Sequence, residues 1–194
     1  MSDAADVSQF NYVLSLPTTL DTVWQLLTRG VADRRAPERH PTLATNGLDG
    51  VPQLRTVVLR AVDRKAAVVD VHTDLQSAKV SELQADGRCG LHVWNQRKKL
   101  QMRLTCQAAI LSGDLVTDIW AKVPEGSRSA YGGNPFPGDV IASPDQFATN
   151  PVAERFAVLR LEAQKIETLC LAPDRHYRAH FLRSDDWAGQ WLAP

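Results

Sequence analysis

Cysteine is scarce in this sequence, and no long apolar run occurs in it. The three cysteines, Cys89, Cys106 and Cys170, are odd in number, lie far apart and form no C-x-x-C pair. Their number and spacing exclude a disulfide framework and a zinc knuckle, and favour a reducing compartment. No stretch approaches the roughly 18 apolar residues that a membrane-spanning helix needs. The first sixteen residues contain two aspartates but no Lys or Arg, and so lack the basic start of a secretory signal. We therefore expect a cytoplasmic protein without membrane association.

A net charge of either sign is also lacking. Twenty-two Lys and Arg residues balance 22 Asp and Glu residues, so the formal charge at pH 7 is zero. A balanced chain offers no electrostatic footprint for a polyanion, which argues against a nucleic-acid-binding protein. Hydrophobic residues at 44% and charged residues at 23% are typical of a globular protein. The 194 residues contain no internal repeat or evident linker, and they predict a single domain over 1–194.

Motifs for several common chemistries are missing. The sequence contains no G-x-G-x-x-G, no G-x-x-x-x-G-K-[ST], no G-x-S-x-G and no H-E-x-x-H. Of the five histidines only His176 and His180 stand close together, and that spacing alone is a weak metal signal. No Rossmann, P-loop, serine-hydrolase or metal site is predicted.

Periodic patterns predict the order of the elements. An apolar face with helical spacing predicts an N-terminal helix over about 19–33, with Thr18 as its N-cap. A short helix is predicted over 77–86, with Ser77 as its N-cap and Gly87 as its C-cap, and another helix is predicted over 114–122. Clean alternation over 100–110 is typical of a half-buried antiparallel strand. Further strands are predicted at 42–45, 54–62, 67–73, 89–94 and 156–171, followed by a C-terminal hairpin over about 176–194.

These elements favour a mainly β fold with helices. Most links between the six or seven strands are too short for crossover helices, so we expect a small antiparallel barrel. Residues 124–150 are rich in Gly, Pro, Ser and Asn, and we expect them to form a long loop. Loops of that length in compact domains are usually functional or disordered.

Cationic and amide side chains stand on or beside otherwise apolar β-elements in three segments. These are RTVVLR (55–60), HTDLQSAK (72–79) and LQMRLT (100–105). The start of the predicted helix at Ser77 offers unpaired N–H groups and a partial positive charge, and Lys79 adds an ammonium. This is equipment for holding a phosphate, to which Arg55 or Arg60 would add a bidentate contact. Gln101 is suited to a heterocycle that both donates and accepts hydrogen bonds.

The same residues are also typical of an ordinary protein surface, on which the arginines lie on an edge strand, the serine caps a helix and the lysine is solvated. Moreover, Arg55 and Arg60 are an odd number of positions apart, so in an unbroken strand they point to opposite faces. Both reach one ligand only if the strand bulges or the ligand wraps its end.

The three segments, followed by DWAGQWLAP (186–194), resemble the pyridoxamine 5′-phosphate oxidase-like FMN-binding split-barrel superfamily, and above all its oxidase-related branch. The resemblance runs in order from about residue 20 to the C-terminus. It implies a six- to seven-stranded antiparallel split β-barrel that binds FMN. It also implies a homodimer with each flavin at the subunit interface.

The resemblance implies site residues as well. The strand from Arg55 to Arg60 would run along the flavin, its backbone facing the ring and its basic ends near the phosphate. Lys79 would contact the phosphate, and Gln101 would approach the flavin from the following hairpin. The cofactor-binding residues implied are Arg55, Thr56, Val57, Val58, Leu59, Arg60, His72, Thr73, Ser77, Lys79 and Gln101. No catalytic side chain is implied, because the cofactor carries the chemistry.

Departures from the family pattern leave the function open. Ala78 and Gln76 stand where the oxidases or the related branch carry basic residues. Neither Arg175-His-Tyr-Arg178 nor the segment 124–131 reproduces the residues that hold the oxidases' substrate. The leading hypothesis is an FMN-dependent oxidoreductase acting on an unidentified small molecule. The alternatives are a non-catalytic FMN carrier or sensor, true pyridoxamine 5′-phosphate oxidation, and a dimeric barrel that has lost FMN.

Overall fold

A computed structural model describes residues 7–194, so the first six residues of the acidic N-terminal segment lie outside the described part of the chain. The α-helices in this part are α1 (Leu16–Ala32), α2 (Ala78–Ala85), α3 (Thr117–Ala121) and α4 (Glu125–Arg128). The strands are β1 (Thr42–Asn46), β2 (Pro52–Thr56), β3 (Leu59–Asp63), β4 (Val68–Asp74), β5 (Arg88–Asn95), β6 (Leu100–Ser112), β7 (Phe156–Leu171), β8 (His176–Leu182) and β9 (Gln190–Leu192). Short 3-10 turns connect several of them. None of the helices in this part of the chain is long and apolar enough to span a bilayer.

Helix α1 begins earlier than the periodicity predicts, because Ser15 rather than Thr18 caps it. The Ser15 hydroxyl accepts the backbone N–H of Thr18 at 3.3 Å, which satisfies one of the free donors of the first turn. The helix buries Val23, Trp24 and Leu27, each at most 3% exposed, against the sheet. This apolar face is the one that the sequence predicts.

One antiparallel sheet carries the fold, with the strand order β2-β1-β5-β6-β7-β4-β3. Strand β7 pairs with β6 along one edge, while its other edge pairs first with β4 and then with β8. The predicted C-terminal hairpin is present as β8 and β9. The terminal strands β2 and β3 do not pair with each other, so the sheet of the described residues stays open. The architecture is the predicted split barrel, with nine strands rather than six or seven.

The single strand predicted over 54–62 is wrong, because the chain divides there into β2 and β3. Val57 and Val58 stand between them, and the Val57 N–H donates to the carbonyl oxygen of Pro41 at 2.9 Å instead of to a strand neighbour. The register of β3 on β4 then shifts between Leu59 and Ala61, which is a β-bulge at Arg60. The sequence argument placed Arg55 and Arg60 on opposite faces of one unbroken strand. Because the strand is broken, that argument does not apply.

Two apolar clusters hold the molecule together. The larger fills the barrel beneath α1 and α2. The smaller lies outside β4 and β7, where Tyr131 and Phe156 pack with Trp120. The helix predicted over 114–122 is a 3-10 turn (Gly113–Val116) followed by α3, and it covers this second cluster. The predicted long loop starts with α4, and beyond that helix the Gly132 N–H donates to Asp74 at the end of β4.

Candidate functional site

A cradle of polar groups forms where β4 turns into α2. Thr73 and Ser77 are each 5% exposed, and their hydroxyl oxygens lie 3.0 Å apart. The Lys79 ammonium donates to the Thr73 hydroxyl at 3.1 Å. Ser77 occupies the predicted N-cap position, but its hydroxyl donates to the Asp74 carbonyl oxygen at 2.7 Å and does not accept from the helix. The Val80 N–H donates to the Ser77 carbonyl oxygen at 2.8 Å, and the N–H groups that precede it in the first turn of α2 remain available to an anion.

The charge of Lys79 is held in an environment that favours an anionic partner. Burial lowers the pKa of the Lys79 ammonium, and the Arg55 guanidinium nearby lowers it further, while Glu82 and Asp74 act in the opposite direction. A half-buried ammonium beside a second cation gains from a bound phosphate, because the phosphate stabilises its charged form.

Arg55 reaches the cradle from β2, where its guanidinium points into the space between β1 and α2. Its Nη2 donates to the Glu82 carboxylate at 2.7 Å, and its Nη1 donates to the hydroxyl of Thr45. Glu82 and Thr45 are buried, at 6% and 4% exposure. Arg55 is thus held beside the cradle by protein groups.

Arg60 lies on the other side of β4, apart from this cradle. Burial, and then the positive charge of Arg60, lower the pKa of His72 to about 4, so His72 is neutral at pH 7. Burial raises the pKa of Tyr131, and Arg60 counteracts that rise. Within residues 7–194, the buried Nε of Arg60 has no hydrogen-bond partner. Arg60, His72 and Lys122 line a cavity of about 310 Å³ beneath α3.

Asp74 ties the cradle to the long loop, a role that the sequence pattern did not reveal. Its carboxylate accepts the backbone N–H of Gln76 and of Gly132, both at 2.8 Å, and pairs with Arg155, also at 2.8 Å. The Arg155 Nη1 in turn donates to the carbonyl oxygen of Gly133 at 2.6 Å. Gly132 has φ +112°, and a Cβ there would come within 2.1 Å of a backbone oxygen, so only glycine fits. Because the charged partners are 81 positions apart, no local signal could have found them.

Gln101 lies at the opposite end of the sheet from the cradle. In the register of β6 and β7, Gln101 pairs with Leu169, whereas Ser112 pairs with Ala157. Ala157 also pairs with Thr73 on its other side. Gln101 and Ser112 are eleven positions apart, which is roughly 36 Å along a strand. Along β6, Gln101 therefore lies far from the strand end that is level with Thr73.

The remaining predicted residues of the 55–60 segment divide by burial. Leu59 is fully buried and Val57 is 7% exposed, so their side chains belong to the core. Thr56 is exposed and Val58 is half-buried. Among the aromatic residues, Tyr131 packs edge-on against Phe156 with ring centroids 5.0 Å apart, which is a packing role.

Comparison with known proteins relates part of the chain to an FMN-binding domain. A family model described as "Pyridoxamine 5'-phosphate oxidase, FMN-binding domain" matches residues 21–112. That segment contains the cradle, Arg55 and Gln101. This segment of the chain is thus similar to the FMN-binding domain of that family. FMN is the cofactor that the matched family model describes.

Several relatives share the sequence or the fold. A pyridoxine/pyridoxamine 5′-phosphate oxidase of Thermosynechococcus vestitus is 27% identical over 154 residues, which are 79% of this chain and 62% of that protein. The chain thus spans less than two thirds of that relative. A pyridoxamine 5′-phosphate oxidase-related FMN-binding protein of Nostoc punctiforme superposes with a TM-score of 0.72 at 22% identity, covering 90% of this chain and 96% of that one. PhzG of Burkholderia lata 383, solved with tetrahydrophenazine-1-carboxylic acid, gives 0.71 at 24% identity and covers 92% of both chains. The two structures show that the fold is shared.

The residues of the cradle fit the phosphate of FMN. Two hydroxyls, one ammonium and the start of an eight-residue helix converge there, and all of them are hydrogen-bond donors that a phosphate accepts. Thr73, Ser77 and Lys79 would hold the phosphate. Ala78, the first residue of α2, brings no charge to this place, so the cradle relies on Lys79 and its neighbour Arg55 for positive charge.

Proposed function

We propose that this protein is an FMN-dependent oxidoreductase that acts on a small molecule in the cytoplasm. The observation that carries the proposal is the phosphate cradle of Thr73, Ser77 and Lys79 at the start of α2. The Thermosynechococcus relative bears the name of an oxidase, and PhzG was solved with a small heterocyclic acid, which supports chemistry on a small molecule. Bound FMN supplies the acceptance of a hydride or of electrons.

The chain's own residues bind and orient the cofactor in this proposal. Lys79 and the two hydroxyls fix the phosphate, and the half-buried setting strengthens these charge-assisted hydrogen bonds. The backbone of the 55–60 segment lies beside the ring, and the side-chain amide of Gln101 bonds to the heterocycle. None of these side chains is required to move a proton.

We further propose that the functional unit is a homodimer in which Gln101 serves the partner's flavin. The support is the distance of Gln101 from the cradle of its own chain. In addition, the sheet face that carries Gln101 presents apolar side chains to solvent: Trp94, paired with Gln101, is 37% exposed, and Leu54, farther along on β2, is 70% exposed. Exposed apolar groups of this kind mark interaction surfaces.

The proposed reaction is tested by flavin reduction. The purified protein is titrated with FMN, and the loaded protein is mixed anaerobically with NADH or NADPH while flavin absorbance is followed; air is then admitted. We expect loss of the flavin absorbance and its return with air. If FMN binds but stays oxidised with both donors and with candidate substrates, the protein is a carrier or sensor. A pyridoxal 5′-phosphate assay above background would identify the reaction as the oxidase reaction itself.

Mixed dimers test the shared site. Lys79→Ala damages the phosphate cradle, and Gln101→Trp places bulk where the ring is expected. In a heterodimer of the two variants, isolated through two different tags, one site carries both lesions and the other carries neither. We expect one FMN per dimer at wild-type affinity, whereas each variant homodimer binds weakly. If Gln101 serves its own chain, no site of the heterodimer is intact, and a monomeric mass by light scattering excludes the shared site altogether.

A further inference from the structure

Glu82 is a buried carboxylate beside the cradle, and no motif of the sequence singled it out. It stands three positions after Lys79 on α2 and is 6% exposed. One of its oxygens, Oε2, accepts both from Arg55 at 2.7 Å and from the Thr45 hydroxyl. Thr45 also accepts from Arg55, so the three side chains form a closed triangle. Glu82 therefore meets the guanidinium that would otherwise face the anion.

The hydrogen bonds of this triangle occupy much of the guanidinium. Nη2 of Arg55 is committed to Glu82 and Nη1 to Thr45, with a further long contact to the Gln53 carbonyl oxygen at 3.5 Å. A bidentate grip on a phosphate needs two parallel N–H donors on one edge of the guanidinium. Arg55 can offer that edge only if it gives up part of its pairing with Glu82.

The charges around Lys79 lead to the same conclusion. Arg55 is close enough to Lys79 to lower its pKa, and Glu82 is close enough to raise it. The negative charge of Glu82 thus lies within electrostatic reach of the place where the phosphate would be bound. Two unit charges some 7 Å apart still interact appreciably at the effective dielectric of a protein. With Ala78 uncharged, no further cation on the first turn of α2 offsets it.

We propose that Glu82 sets the affinity of this chain for FMN by competing with the phosphate for Arg55. Glu82 acts through Arg55, and no contact with the cofactor is needed. The inference rests on FMN binding at the cradle, but not on the reaction that the flavin performs. It predicts that removing the charge of Glu82 strengthens the binding of the phosphate, which is the opposite of what the loss of a supporting residue would do.

The test compares FMN with riboflavin, which lacks the phosphate. Glu82→Gln removes the charge but keeps an amide oxygen for Arg55, and binding is followed by the quenching of flavin fluorescence. We expect the Kd for FMN to fall about fivefold or more, while the Kd for riboflavin stays unchanged. Glu125→Gln, an exposed position on α4, is the matched control and should leave both constants unchanged. Glu82→Asp keeps the charge and should bind FMN as the wild type does.

The same substitution in a chain without Arg55 tests whether Arg55 is the group for which Glu82 and the phosphate compete. In an Arg55→Met chain, Glu82→Gln should produce a smaller gain than in the wild-type chain, because no guanidinium is left to release. An FMN affinity of Glu82→Gln that is unchanged or weaker overturns the proposal, provided that thermal melting shows a folded protein. If the Glu82→Gln chain does not fold, Thr45→Val is the second variant. It removes the hydroxyl that accepts from Arg55, and it should tighten the binding of FMN but not that of riboflavin. A wild-type chain that ignores FMN would contradict the proposed function, whereas a chain that binds FMN without a Glu82 effect contradicts only this inference.

Discussion

The Lys79→Ala variant should bind FMN about ten- to a hundredfold more weakly than the wild-type protein. Lys79 supplies the ammonium of the cradle, and its burial makes a charge-assisted hydrogen bond to the phosphate stronger than it would be at the surface. Loss of such a bond costs about 1.5–3 kcal/mol, which is one to two decades in Kd. Fluorescence titration with FMN measures the change directly.

Riboflavin and a second lysine make this experiment specific. Because riboflavin has no phosphate, its affinity should be the same for the variant and the wild type. Lys65→Ala removes an exposed lysine in the turn between β3 and β4, at the opposite end of β4 from the cradle, and should leave FMN binding intact. An unchanged FMN affinity in Lys79→Ala would remove Lys79 from the site, whereas equal losses for FMN and riboflavin would indicate a general disturbance.

The second large effect concerns stability. Asp74→Ala should lower the free energy of unfolding by about 3–5 kcal/mol, because the buried Arg155 guanidinium loses its carboxylate and stays desolvated. For a protein of this size, the midpoint of thermal unfolding should fall by roughly 6–20 °C. The backbone N–H groups of Gln76 and Gly132 lose their acceptor in the same variant. FMN binding should weaken too, since the turn before α2 is no longer tied down.

A double variant separates the ion pair from the remaining bonds of Asp74. Arg155→Met removes the guanidinium that loses its carboxylate partner in Asp74→Ala. The Asp74→Ala/Arg155→Met protein should therefore be more stable than the sum of the two single changes predicts, by at least about 1 kcal/mol. Asp118→Ala, exposed on α3, serves as the control and should melt as the wild type does. Strict additivity of the two changes would show that the two side chains act independently.

Local patterns predicted the elements whose reasons are local. The alternation in 100–110 predicted β6 because successive side chains of a strand point to opposite faces. The cradle was predicted for a similar reason, since Thr73, Ser77 and Lys79 lie within seven residues at a strand-to-helix turn. For the N-terminal helix the prediction was wrong at the start, because Ser15 and not Thr18 caps the helix.

Features with distant partners could not be predicted. The break between β2 and β3 depends on the carbonyl of Pro41, which a pattern confined to 54–62 does not contain. The bond between Glu82 and Arg55 joins residues 27 positions apart, and side-chain type alone does not show which of several carboxylates an arginine will choose. Likewise, the distance between Gln101 and the cradle follows from the register of β6 on β7 and not from their separation in the sequence.

Strand β7 also governs the order in which the molecule can be assembled. The family match ends at residue 112, yet β4 and β6 have no common partner until residues 156–171 arrive. A ribosome must therefore deliver most of the chain before the sheet that carries the cradle can form, and the edges of β4 and β6 stay unpaired until then. Contacts across such long sequence separations fold slowly. The stretch that matches the FMN-binding domain model is thus shorter than the stretch that must be synthesised to build the sheet around the cradle.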